Sequence, residues 1–297
     1  MTTVAETLAR PPRASFASRA WRFVARHSLT VYALLVVAYL MLPIVVVILF
    51  SFNHPTGRFN YVWHKFTFEN WIHWNAVLGI QGAVVKSLEV AALATIVATA
   101  LGTLIALAIV RHRFAGRGAT NVLIFLPMST PEIVMGSSLL ALFLNDQNTI
   151  QLGFWTIFIA HVMFIISFVV VTVKARLIGF DRHLEEAAMD LGANEWVTFQ
   201  KVTLPLLAPA ILAAGLLGFA LSIDDFVITY FNAGSETTFP LFVWGAARVA
   251  VPPQINVIGS MIFLVAVFLM FANIVIQRRR GEAPLQQAIP IEAPAVS

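Results

Sequence analysis

Four acidic residues lie within, or at the edges of, long apolar stretches of this sequence: Glu89, Glu132, Asp224 and Asp225. A carboxylate in the hydrocarbon region of a bilayer is energetically costly, so residues of this kind usually have a function. At about 1.5 Å per helical residue, Glu132 would lie about 16 Å from the nearer end of its stretch, close to the midplane. If the four carboxylates face one cavity, they form an acidic path that suits a cationic solute.

Aromatic residues are predicted near the outer half of the apolar stretches, and Phe226 is one of them. The faces of aromatic rings attract alkylammonium groups. A flexible chain with separated positive charges would fit carboxylates that are spaced along a path, with aromatic rings between them. The predicted substrate pathway therefore comprises Glu89, Glu132, Trp155, Asp224, Asp225, Tyr230 and Trp244.

Two of these carboxylates also have a purely structural interpretation. Glu132 follows Pro131, so it could cap a helix that restarts after a proline kink. Glu89 is three residues after Lys86, close enough for an ordinary ion pair at the membrane surface. The sequence leaves both interpretations open.

Asp224 and Asp225 could likewise satisfy backbone groups at a helix break, or pair with Arg248. They could also be the acids of an intramembrane protease, but that chemistry needs two carboxylates that face each other. Adjacent residues of one helix point about 100° apart, which disfavours this arrangement. The sequence contains no zinc-protease helix motif and no G-x-S-x-G elbow, so no catalytic residue is predicted.

The composition indicates a membrane protein. Of the 297 residues, 59% are hydrophobic and 11% are charged, whereas soluble domains carry about 25% charged residues. There is no cysteine, which excludes disulfides and thiolate metal sites. The seven histidines are scattered, and no metal site is predicted.

Six apolar stretches are long enough to cross a bilayer, which requires about 20 residues in a helix. They do not alternate in polarity, which favours helices over the strands of a barrel. We therefore predict an all-α integral membrane protein with six transmembrane helices, at residues 31–52, 87–110, 122–144, 152–173, 208–231 and 257–276.

The basic residues predict the orientation. Most Lys and Arg residues lie in the N-terminal tail, the second and fourth connections and the C-terminal tail. By the positive-inside rule, both termini are then cytoplasmic. The predicted organisation is a cytoplasmic tail (1–29), a first transmembrane helix (30–52), an external loop (53–86), a five-helix core (87–276) with a cytoplasmic loop at about 176–207, and a disordered cytoplasmic tail (277–297).

Small residues recur at four-residue spacing in two of these stretches, and this pattern predicts close helix contacts. The second stretch contains Ala94, Ala98, Gly102 and Ala106, and the fifth contains Ala210, Ala214 and Gly218. The contacts could be made within this chain or with a partner. The alternative is that alanine is simply common in such helices.

The fourth connection is much longer than two neighbouring helices need. Residues 182–191 (RHLEEAAMDL) predict a short helix, and Gly192 is well placed to end it. Asn194 can then cap a second helix over the sequence NEWVTFQKV. This pair of helices has an apolar face, which needs lipid or a protein partner to cover it.

The same loop contains Glu186-Ala187-Ala188, then Gly192 and, nine residues further, Val202-Thr203-Leu204-Pro205. This pattern resembles the EAA loop of importer permeases of the ATP-binding cassette (ABC) superfamily, with Val202 where isoleucine is usual. The resemblance implies a type I importer permease (MetI-like) fold. It also implies that the loop forms a coupling helix on an ATPase subunit, with contacts from Glu185, Glu186, Ala187, Gly192, Leu204 and Pro205.

The runs EEAAMDLGA, TLPLLAPAI and SIDDFVITYF, followed by TTFP and PPQIN, resemble the second permease subunit of spermidine/putrescine importers over residues 87–276. This resemblance implies a bacterial inner-membrane location, a second permease subunit and an external solute-binding protein. The chain lacks the G-x-x-x-x-G-K-[ST] phosphate loop. An ATPase dimer on separate chains would therefore bind ATP and Mg²⁺, and no cofactor is expected in this chain.

The leading hypothesis is a non-enzymatic permease subunit that moves putrescine or spermidine into the cytoplasm by alternating access. One alternative is an ABC permease for another small solute. A stand-alone ion-coupled transporter could use the same carboxylates, but it leaves the EAA loop without a role.

Overall fold

The computed structural model describes residues 16–145 and 150–279, and these are predominantly helical. An isolated antiparallel bridge pairs Asn53 with Phe66. Most of the tail predicted to be disordered, residues 280–297, lies outside the described residues. The helices are α1 (Phe16–Ser51), α2 (Glu69–Ile72), α3 (Ile80–Arg111), α4 (Arg117–Ser129), α5 (Glu132–Phe143), α6 (Phe154–Ile178), α7 (His183–Asp190), α8 (Glu195–Thr198), α9 (Leu204–Asp224), α10 (Val227–Asn232), α11 (Phe239–Val249) and α12 (Pro253–Arg279).

By length and composition, four described helices can cross a membrane, or five if one bent pair counts as a single span. The predicted sixth span falls on α12, in which the segment Pro253–Phe268 is apolar but shorter than those four helices. A count of six therefore stays a prediction. Helix α1 begins at Phe16, well before the predicted start of the first span at residue 30.

The chain forms two compact units. The first contains α1, α2 and α12, with residues up to Trp74 and from Pro253 onward. After α1, the side chain of Asn53 donates to Asn60 Oδ1 (2.7 Å), and Asn70 donates to the carbonyl oxygens of Ser51 (3.0 Å) and Asn53 (2.8 Å). These buried amides hold the predicted external loop in a defined conformation.

The second unit, Asn75–Pro252, has its core between α3, α6 and α9. Ala94, Ala98 and Ala106 of α3 are completely buried. A Cβ atom added to Gly102 would lie 2.7 Å from Val169 Cγ1, and one added to Gly218 would lie 2.5 Å from Ile165 Cγ2. The small-residue pattern therefore allows close approach to α6, and the predicted helix contacts are confirmed within this chain.

Two of the predicted spans are broken. The third is divided into α4 and α5, which are bent by 107° between Ser129 and Glu132. Pro131 lies in this break, and its ring lacks the N–H that a continuous helix would use. The fifth is divided where α9 ends at Asp224 and α10 begins at Val227.

Candidate functional site

Three of the four predicted carboxylates meet at one cavity of about 260 Å³, at the two helix breaks. Glu132 is the first residue of α5, Asp224 is the last of α9, and Asp225 follows it. The lining consists of these carboxylates and of apolar residues, with no Lys or Arg: Glu132, Phe164, Leu221, Asp224, Asp225, Phe226 and Val227.

Asp225 is buried, and its carboxylate is used by the protein itself. It accepts hydrogen bonds from the backbone N–H groups of Ile228 (3.3 Å) and Thr229 (2.8 Å) and from the Thr229 hydroxyl (2.8 Å). The carboxylate therefore satisfies backbone donors at the start of α10. This is the structural interpretation that the sequence left open, and the role of Asp225 in the pathway stays a prediction.

His161 of α6 lies behind Asp225 and is 2% exposed. Its Nδ1 is hydrogen-bonded to Ser222 Oγ (2.7 Å) and its Nε2 to Thr229 Oγ1 (2.9 Å), while Nε2 lies 3.3 Å from Asp225 Oδ2. The ring thus joins α6, α9 and α10 at the wall of the cavity. A lone histidine in an apolar stretch was the only sequence signal of this network.

Glu132 and Asp224 are exposed, in contrast to Asp225. Like charges at short range repel each other, and the low-dielectric surroundings of a membrane protein strengthen this effect. Since no basic side chain lines the cavity, a cation from outside would relieve this repulsion. The arrangement can therefore bind an ammonium group, with Glu132 and Asp224 as its accessible partners.

The predicted aromatic residues divide into two groups. Phe226 lines the cavity, and its ring centroid lies 5.6 Å from that of Tyr230 and 5.1 Å from that of Trp244. Arg248 lies over the Trp244 ring at 4.7 Å, which is a cation–π contact and not the alternative pair with the aspartates. Trp155 packs instead beside Phe154 and Phe158.

Glu89 does not line the cavity. Its carboxylate lies 3.7 Å from Lys86 Nζ, and the same ammonium group lies 3.4 Å from Glu236 and 5.2 Å from the centre of the Phe154 ring. The ion pair with Lys86 is therefore present, as one of the two interpretations expected.

The predicted helix–turn–helix of the EAA loop is present as α7 and α8, and both of its terminal signals have the expected geometry. Gly192 has a φ of +90°, and the backbone N–H of Ala193 bonds to the Ala188 carbonyl (3.1 Å), which ends α7 in a Schellman motif. The Asn194 side chain accepts a hydrogen bond from the backbone of Val197 (2.9 Å) and caps α8. A π-helical turn (Phe199–Thr203) then leads directly into α9.

The six predicted coupling residues do not share one environment. Glu186, Ala187, Gly192, Leu204 and Pro205 are exposed. Glu185 is buried, because its carboxylate faces inward to the guanidinium of Arg111 and the hydroxyl of Thr203. Sequence reasoning placed Glu185 with the docking residues and missed Arg111 and Thr203, which are far from it along the chain.

Exposed apolar side chains surround the turn between α7 and α8. Leu184, Leu191 and Trp196 are 49%, 90% and 64% exposed, and Trp196 stacks on Phe199 with 5.8 Å between ring centroids. Such a patch on a short helical pair is typical of a surface that a partner covers.

Residues 98–281 match the family of binding-protein-dependent transport system inner membrane components. The chain belongs to this family. The permease is 38% identical over 246 residues to the spermidine/putrescine transport system permease protein PotC of Escherichia coli K12, covering 81% of this chain and 90% of PotC. It is 37% identical over 242 residues to the putrescine transport system permease protein PotI of the same organism, covering 78% of this chain and 84% of PotI.

Solved structures support the permease fold. A bacterial ABC transporter that imports the acidic polysaccharide alginate matches with a TM-score of 0.62 and 17% identity, covering 88% of this permease and 99% of that chain. The MetNI methionine ABC transporter matches with a TM-score of 0.50 and 15% identity, covering 68% and 98%. At these identities the likeness concerns the fold alone, and it confirms the MetI-like architecture. The permease is thus an inner-membrane transport component.

Proposed function

We propose that this permease is one of two transmembrane subunits of an ATP-driven importer that carries putrescine and spermidine into the cytoplasm. The observation that carries the proposal is the cavity lined by three carboxylates and no basic residue. The names of the relatives PotC and PotI support the choice of a polyamine among the possible cations.

In this proposal Glu132 and Asp224 bind ammonium groups of the solute, because their carboxylates are exposed at the cavity. Phe226 offers an aromatic face in the same lining, and Tyr230 and Trp244 extend it. Asp225 keeps α10 in place and adds negative charge to the cavity. The solute is released when the two permease subunits change from the outward-facing to the inward-facing state.

The proposed topology has six spans with both termini in the cytoplasm, which the distribution of Lys and Arg supports. The EAA loop then lies on the cytoplasmic side. Its exposed residues Glu186, Ala187 and Gly192, with the apolar side chains around them, would contact an ATPase dimer that binds ATP and Mg²⁺. A binding protein on the opposite side would deliver the solute.

The test is the uptake of labelled putrescine and spermidine by cells with and without this gene, with the neighbouring subunits intact and other polyamine systems deleted. We expect energy-dependent uptake that is lost with the gene and restored by the wild-type chain. Restoration by the Glu132→Gln/Asp224→Asn double variant should be weak, although the variant reaches the membrane.

Unchanged uptake of both polyamines after deletion of the gene would overturn the choice of solute. Full restoration by the double variant would overturn the role of the cavity. A matched control is Glu69→Gln, which removes an exposed carboxylate outside both the cavity and the EAA loop and should restore uptake completely.

A further inference from the structure

Glu185 of the EAA loop has surroundings unlike those of a docking residue, because it is buried. Its side chain turns away from the loop surface, and one carboxylate oxygen accepts from both the Arg111 guanidinium and the Thr203 hydroxyl. Thr203 is completely buried, and the Arg111 side chain is about one quarter exposed (28%). We call these three side chains the Glu185 cluster.

The Glu185 cluster joins three elements that are distant in sequence. Arg111 is the last residue of α3, Glu185 lies in the first turn of α7, and Thr203 is the last residue before α9. Separation from Arg111 would leave the buried Glu185 carboxylate without compensation, so the cluster resists separation. Helix α7 is therefore tied to the ends of two helices of the core.

The two helices reach the far side of the unit. Helix α9 runs from Leu204 to Asp224, a length of about 31 Å at 1.5 Å per residue, and its last residue lines the acidic cavity. Helices α3 and α9 both pack on α6 through their small residues. A displacement of α7 that is carried into α9 would thus reach the cavity through one continuous helix.

We propose that Glu185 is a positioning residue: it fixes α7 to α3 and α9, so that movement of the EAA loop by the ATPase moves both helices together. The inference rests on the proposed function, since it assumes that an ATPase moves this loop. Glu185 then transmits movement within this chain, and the exposed residues of the loop contact the ATPase.

The experiment uses the complete importer in proteoliposomes, with both permeases, the ATPase and the binding protein, and measures polyamine uptake and ATP hydrolysis together. Thr203→Val removes the hydroxyl donor with little change in volume, and Thr203→Ser keeps it. We expect Thr203→Val to lower the amount of solute transported per ATP hydrolysed several-fold, whereas Thr203→Ser retains the wild-type ratio. Glu185→Gln should lower the ratio further, by about tenfold, a typical size for coupling between sites.

A charge exchange, Arg111→Glu with Glu185→Arg, tests the pair itself and should recover part of the ratio that Glu185→Gln loses. An exposed acid outside the EAA loop provides the control, and Glu69→Gln should leave the ratio unchanged. An unchanged ratio in both Thr203→Val and Glu185→Gln would overturn the proposal, even if uptake and hydrolysis fall in parallel. If the wild-type importer hydrolyses ATP but moves no polyamine, the proposed function fails instead.

Discussion

Two pairs of adjacent acidic residues, Glu185–Glu186 in the EAA loop and Asp224–Asp225 at the cavity, follow the same rule. In each pair one carboxylate is buried and bonded within the chain, while its neighbour is exposed. Glu185 and Glu186 are successive helical residues that point about 100° apart, so the packing of α7 separates their side chains. Asp225 instead lies in extended backbone just after α9 and caps α10. Adjacent acids of the same type therefore have different roles.

The two regions differ in what compensates the buried charge. Glu185 meets the guanidinium of Arg111, so the loop neutralises this carboxylate within the chain. Asp225 meets backbone donors, Thr229 and His161, and no Lys or Arg lines the cavity. The buried charge of Glu185 is thus compensated by a basic side chain of this chain, whereas the cavity is suited to a positive charge from outside.

The largest effect is expected from Asp225→Ala, which removes the carboxylate that holds α10. The change leaves the backbone N–H groups of Ile228 and Thr229 without their acceptor, at a cost of about 2 kcal/mol or more. Both the melting temperature of the purified permease and polyamine uptake should fall. Asp225→Asn keeps a good helix cap and should keep most of the stability. Comparison of the two variants therefore separates the effect of the charge on uptake from the effect of the cap on stability. A wild-type melting temperature for Asp225→Ala would contradict the assigned role.

Asp224→Asn should have the next largest effect, and on transport only. Asp224 is exposed at the cavity, so its loss should leave the melting temperature unchanged and raise the KM for putrescine uptake by about tenfold. Glu132→Gln should act in the same direction. Transport kinetics at several putrescine concentrations check this, and an unchanged KM in both variants would remove the two residues from the pathway.

A smaller effect is expected at Gly192, where the backbone and not the side chain is decisive. Its φ of +90° disfavours residues with a Cβ atom, although an added Cβ would meet no atom within 4 Å. Gly192→Ala should cost about 1 kcal/mol and lower the solute transported per ATP, whereas Gly192→Asn should be tolerated better because Asn accepts left-handed backbone. A ratio for the Asn variant that is no higher than that for the Ala variant would contradict the role of the backbone, and a lower one would indicate steric contact with the ATPase.

The features that the sequence predicted well are local ones. Gly192 and Asn194 act within a few residues of chain, so residue type and spacing are sufficient to place the end of α7 and the start of α8. The small residues of α3 recur at one helical face, and this periodicity predicts a contact without naming its partner. The second helix was predicted over NEWVTFQKV, but it is α-helical only over Glu195–Thr198 before the π-helical turn, so its extent was not predicted.

The remaining features depend on the tertiary structure. Arg111 and Glu185 are 74 residues apart, and only the packing of α3 beside the EAA loop brings them together. The break after Asp224 contains no proline or glycine, and it is held by side chains such as His161 that lie on another helix. Sequence alone therefore identified Asp224 and Asp225 as a pair without separating their roles.

The smallest effect is expected from Glu89→Gln, which tests whether the acidic path extends beyond the cavity. Glu89 shares Lys86 with Glu236, and its side chain is about half exposed (51%), so the ion pair contributes roughly 0–1 kcal/mol. Because Lys86 keeps Glu236 as a partner, the variant should change the KM for putrescine by less than about twofold. A KM increase as large as that of Asp224→Asn would place Glu89 on the pathway, and then Lys86→Met should lower the KM by removing a competing ammonium group.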